Sequence, residues 1–286
     1  MIKRQLLLAF LVGAMCLPLY AYSHPQGDSL KTGFSHLRLT GALSLAAVGE
    51  QVNTCLPYTG LGGGASLAFT RCRRNYLNVE NSFTAGGLMP YDMPEYNNVV
   101  TFYYNNFQAE YLWRLRKLNP LGIDFFTGPG VNFRYAIRMN YSNLSNSVLS
   151  YDMSVGLGIS LRLAKEFSLH SICKKANPDK NWMVSLGMLY PVVGSAITPS
   201  YIGMPENLLQ PDGSMLDMGN STSGFLTRII NPEIHAELKY VMRNGNAFAV
   251  NYRFSYASLR ADLNPVKSSY GITGLSLLFN LKKTPR

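Results

Sequence analysis

From Ile123 to Tyr141 the chain alternates. Phe125, Val131, Phe133, Tyr135, Ile137, Met139 and Tyr141 fall on odd positions, and Asp124, Asn132, Arg134, Arg138 and Asn140 on even ones. A period of two marks a β-strand with one apolar and one polar face. The next segment repeats the pattern, with Leu149, Tyr151, Met153, Val155, Leu157, Ile159, Leu161 and Leu163 set against Asp152, Ser154, Ser160 and Arg162. Strands in soluble sheets are commonly about half this long. Two such neighbours predict the wall of a transmembrane barrel, with apolar side chains in hydrocarbon and polar ones in the lumen.

The same reading predicts strands over 34–49, 63–71, 76–85, 99–115, 123–141, 149–163, 182–190, 233–242, 247–256 and 269–281. The expected fold is therefore all-β, an antiparallel transmembrane β-barrel of about 10 strands, an even number as single-chain outer-membrane barrels have. Turns at 72–75, 116–122 and 243–246 are short, as periplasmic turns are. Asn244-Gly245 supplies the positive φ angles of a tight hairpin. The segments 50–62, 87–98 and 191–230 are long, as external loops are. Two places leave the count open. Pro129 is unusual inside a strand, and residues 165–180 fit an amphipathic helical turn better than a strand. If Gly128-Pro129-Gly130 is a turn and 167–173 a strand, the count becomes 12.

The N-terminus carries a matching address. Lys3 and Arg4 precede an apolar run from Leu6 to Leu19, followed by small residues at Ala21 and Ser23. Residues 1–23 thus read as a cleaved secretory signal, leaving 24–286 as the barrel domain. Its removal takes two of the 26 Lys and Arg and none of the 16 Asp and Glu. The remaining basic excess suits lumenal arginines and anionic headgroups better than nucleic acid, which an exported chain does not meet. Only 15% of residues are charged, while Tyr and Phe number 18 and 14. That balance suits a wall with aromatic girdles.

The signal, the alternating strands, the short-turn and long-loop rhythm and the aromatic closing strand together resemble the bacterial outer-membrane β-barrel superfamily over the whole mature chain. The resemblance implies residence in the outer membrane. The ending, Phe279-Asn280-Leu281 followed by Lys282 and Lys283, departs from the terminal aromatic residue of many members.

The inward face collects Arg38, Glu80, Glu110, Arg114, Asp124, Arg134, Arg138, Asp152, Arg162, Lys239 and Arg253 as lumen-lining residues. Acids and bases are mixed, which points to a salt-bridge network, since unpaired charge in a narrow lumen is heavily penalised. Glu233, His235 and Glu237 share this face at two-residue spacing. They are the only candidates for acid–base catalysis, His235 being the base of a membrane-embedded hydrolase. The same spacing would suit a metal corner, but a complete site needs a second cluster, so no metal and no cofactor is expected. Cys55 and Cys72 lie at opposite ends of a strand, beyond the ~7 Å reach of a disulfide, whereas Cys72 and Cys173 share the periplasmic end, which permits a pair. The expected role is non-enzymatic: structural, transport-related or surface interaction. The expected partners are outer-membrane lipid and a protein at the cell surface, and the segment 191–230 is the candidate cap, gate or docking element.

Overall fold

The computed structural model describes residues 33–50, 54–91, 99–115, 123–140, 149–168, 181–198, 220–225, 229–242, 244–260 and 265–281. The strands are β1 (Phe34–Glu50), β2 (Thr54–Cys72), β3 (Asn75–Pro90), β4 (Val100–Arg114), β5 (Asp124–Asn140), β6 (Leu149–Ser168), β7 (Asn181–Thr198), β8 (Asn220–Phe225), β9 (Ile229–Ile230), β10 (Glu233–Val241), β11 (Ala247–Leu259) and β12 (Val266–Asn280). From β1 to β7 each pairs with the next, and β12 bridges β11 and β1. Pairing of β10 with both β11 and β7 closes the sheet into a barrel.

Closure explains how twelve segments make a 10-stranded wall. β8 pairs with the far half of β7, and β9 with the far end of β11. Together with β10 they form one interrupted wall strand. The prolines account for the interruption. The β7–β10 ladder ends at Leu189 and Glu233, beside Pro191 and Pro232, neither of which has an N–H to donate. In the β6–β7 ladder Leu157 pairs with Val193 and Gly158 with Pro191, so Val192 is an extra residue in a β-bulge. Inward parity on β7 flips there, from Met183, Ser185 and Leu189 to Ala196 and Thr198.

Several boundaries differ from the sequence reading. β2 begins at 54, so much of 50–62 is wall; its run of glycines conceals the alternation. β3 likewise extends to Pro90. The segment 191–230 is not one loop, because β7 runs through to Thr198 and β8 and β9 belong to the wall. β6 runs on to Ser168, which corrects the helical reading of 165–168; residues 169–180, with Cys173, lie outside the described residues, as do 1–32. Pro129 is no turn. It stays in register with Ile159, and the β4–β5 ladder skips Tyr111 and Leu112 opposite it. The 12-strand alternative is therefore not realised.

The hairpin between β10 and β11 is closed by Gly245, at a φ of 81°. Its N–H donates to the Met242 carbonyl (2.9 Å), and the Asn246 N–H donates to Asn244 Oδ1 (3.0 Å). The start of β1 at Phe34 and the end of β12 at Asn280 share this side of the barrel. Cys72, also here, is buried as a free thiol.

The outer surface carries the apolar side chains. Leu43 is 73% exposed, Leu61 68% and Leu275 71%, and Phe83, Phe107, Leu157, Leu186 and Val250 continue the band around the wall. A water-soluble protein does not present so continuous an apolar surface. Tyr111 and Trp113 pack edge to face at one margin, and Trp182 packs on Tyr240 at the same margin on the other side of the barrel.

Candidate functional site in the barrel lumen

The lumen is filled in layers. Toward the end away from Phe34 and Asn280, Val48, Tyr58, Leu88, Val100, Phe102, Tyr104, Tyr270 and Ile272 form an apolar and aromatic cluster. Ala196, Ile229, Leu259 and Val266 add a smaller one at that rim. At the end where β1 begins, Cys72, Tyr76, Leu112, Phe126 and Ala164 form another, with Phe34 packed against it. Charged side chains occupy the levels between and beside these clusters.

All eleven lumen-lining residues named from the sequence point inward, and all are buried except Arg114, which is partly buried. Arg38 bridges Glu80 and Glu237, the latter at 2.7 Å, and Arg253 reaches Glu80 at 2.5 Å. Arg162 pairs with Glu110 at 3.3 Å, and Ser160 donates to the other Glu110 oxygen. Asp152 holds two arginines, Arg138 at 2.6 Å and Arg134 at 3.2 Å. Arg114 donates to Asp124, through Nε at 2.8 Å. Paired in this way, charges that would be costly alone become tolerable in a low-dielectric interior.

Aromatic rings satisfy the cations further. Tyr104 and Tyr270 stack at 3.9 Å, and the Arg134 guanidinium lies 5.5 and 5.4 Å from their centroids. Arg162 sits 4.4 Å above Tyr76, and the Lys239 ammonium 3.9 Å from the Phe34 ring. Such cation–π contacts strengthen when desolvated. These aromatic partners escaped the sequence reading, although the even positions of Tyr76 in β3 and Tyr104 in β4 place those two inward. The run Phe102-Tyr103-Tyr104 is aromatic on both faces and so conceals its own parity. His36 was missed as well: it is buried, stacked on Phe34, with Nε2 2.9 Å from the Gly245 carbonyl oxygen.

Glu233, His235 and Glu237 also face inward, and no hydrogen bond among the described residues joins His235 Nε2 to either carboxylate. Glu237 is engaged by Arg38. His235 Nε2 is 3.7 Å from Glu233 Oε2, too long for a hydrogen bond, and has no hydrogen-bond partner among the described residues. A base poised for nucleophilic catalysis is hydrogen-bonded to its nucleophile. A cavity of about 40 Å³ lies beside these residues, lined by Arg38, Glu80, Arg162, His235, Glu237 and Arg253 among others. That volume holds a few waters. The second cavity, near Cys72 and Lys239, is about 10 Å³.

A closed antiparallel sheet with an apolar exterior and a charged, ion-paired interior is an integral β-barrel of the bacterial outer-membrane type. Its wall is stable where hydrocarbon surrounds it. No protein-family model and no curated protein sequence matches the chain. Among solved structures it is similar to Neisserial surface protein A, at 11% identity and a TM-score of 0.31, over 85% of this chain and 97% of that one. It is similar also to the transport unit of the autotransporter AIDA-I from Escherichia coli, at 9% identity and a TM-score of 0.37, over 93% and 98%. An outer-membrane channel from Pseudomonas putida aligns at 10% identity and a TM-score of 0.32, over 90% and 99%.

Proposed function

We propose that the protein is a non-enzymatic outer-membrane barrel that acts as an anchor, holding its external connections at the cell surface for a protein partner, and that it is not an open pore. The observation that carries this reading is the filled lumen. Side chains from opposite walls meet across it, as Arg134 of β5 does with Ser268 of β12, and the cavity beside Arg38 and Glu237 is water-sized. A solute channel needs a continuous path, and the stacked Tyr104–Tyr270 pair and the Arg134–Asp152–Arg138 cluster stand across one. Catalysis is disfavoured because His235 is enclosed by ion pairs and lacks a hydrogen-bonded nucleophile. The test is single-channel recording in planar bilayers, run beside ester and phospholipid hydrolysis by the same preparation. The proposal expects neither stable conductance steps nor turnover. Reproducible conductance would establish a channel, and turnover lost in His235→Ala would establish the hydrolase.

A further inference from the structure

Every other carboxylate of the described lumen has an arginine partner: Glu80, Glu110, Asp124, Asp152 and Glu237 each lie within ion-pairing distance of one. Glu233 does not. It is fully buried, and its only charged neighbour within pairing range among the described residues is the His235 ring at 3.7 Å. Arg253, the nearest guanidinium to consider, is already held by Glu80 at 2.5 Å and by Ser82 Oγ at 2.9 Å. A buried carboxylate without a counter-charge is strongly disfavoured.

What surrounds Glu233 is a set of neutral carboxamides. Its Oε1 accepts from Asn106 Nδ2 at 2.8 Å and from Asn132 Nδ2 at 3.3 Å. Its Oε2 has no hydrogen-bond partner among the described residues, nor has Oδ1 of Asn106 or Oδ1 of Asn132. Gln108, in register with Asn132, leaves both amide atoms unpartnered. All four side chains are fully buried. One carboxylate and neutral carboxamide oxygens, with no thiolate beside them among the described residues, make a donor set for a hard cation. The single negative charge matches a single positive one, because a divalent ion would leave excess positive charge facing Arg253.

We propose that Glu233, Asn106 and Asn132, with Gln108 beside them, bind one alkali-metal cation of sodium size inside the barrel. The ion supplies the counter-charge that every other lumenal carboxylate receives from arginine, and it ties β4, β5 and β10 together across the lumen.

The test uses the full chain, purified and folded in detergent. Its unfolding equilibrium is followed in sodium chloride and in choline chloride at equal ionic strength. Sodium should stabilise saturably, lowering the unfolding constant by about 100-fold at roughly 100 times its dissociation constant. Choline should not. Glu233→Gln removes no arginine pair and keeps the side-chain shape, and it should abolish the difference between the salts. Equilibrium dialysis of the unmodified chain with radioactive sodium keeps the proposal falsifiable should that variant fail to fold, with one ion retained per chain as the expected result. Equal behaviour in the two salts, sodium dependence that survives in Glu233→Gln, or dialysis without retention would each overturn it.

Discussion

Leu157→Arg separates a membrane wall from a soluble sheet more sharply than any other single change. Leu157 is 54% exposed on the outer face of β6, with Val131 of β5 and Val193 of β7 beside it in register. On a face bathed by water, replacing one exposed side chain by another changes stability by within about 0.5 kcal/mol. On a face bathed by hydrocarbon, arginine near the midplane costs about 2–4 kcal/mol. At about 1.4 kcal/mol per decade the folding equilibrium falls roughly thirtyfold to several hundredfold. Leu157→Ala separates the loss of the leucine from the burial of charge and should cost much less. The assay is reversible urea unfolding from phospholipid vesicles, followed by tryptophan fluorescence. An arginine variant indistinguishable from the parent would refute the assignment of outer and inner faces.

Three further outcomes follow from the interior and the turns. Asp152→Asn leaves Arg134 and Arg138 without their shared carboxylate in a fully buried setting and should cost about 3–5 kcal/mol in the same unfolding assay. Deleting 199–219 should leave a folded barrel that still shifts on unheated gels, whereas deleting 191–230 should abolish that shift because it removes the end of β7 with β8 and β9. Gly245→Ala should cost at least the ~1–2 kcal/mol of a left-handed non-glycine residue, since the added carbon also meets the Asn280 side chain, and the urea midpoint reads it.

The wall was legible in the sequence because one period governs it. Where alternation is uninterrupted, as in β5 and β6, strand, face and lumenal arginines follow from parity alone. Where glycine removes the contrast, as in Gly60 to Gly64 of β2, the strand looked like a loop. The segment 191–230 hid wall structure for a different reason. A bulge at Val192 inverts the parity, and Pro191 and Pro232 resemble loop punctuation although they sit where the ladder between β7 and β10 breaks. Lumenal pairing was legible only as a mixture of signs. That Arg38 reaches Glu237 three strands away, or that Glu233 is left without an arginine, depends on which strands come near each other once the barrel closes, and period-two patterning does not encode that. The aromatic packing of the lumen was illegible for the same reason: an inward tyrosine and an outward one look alike until closure places Tyr270 against Tyr104.

The central claim, an inverted barrel whose outer face lies in lipid, is tested most directly by the chain's own tryptophans. There are only two, Trp113 and Trp182, both on the outer face near the margin of the wall where β1 begins and β12 ends. Folded into vesicles, their fluorescence should be quenched by lipids brominated near the headgroup end of the acyl chains, more weakly by lipids brominated deep in the chains, and little by aqueous iodide. Strong iodide quenching with no response to either brominated lipid would place that face in water and contradict the account.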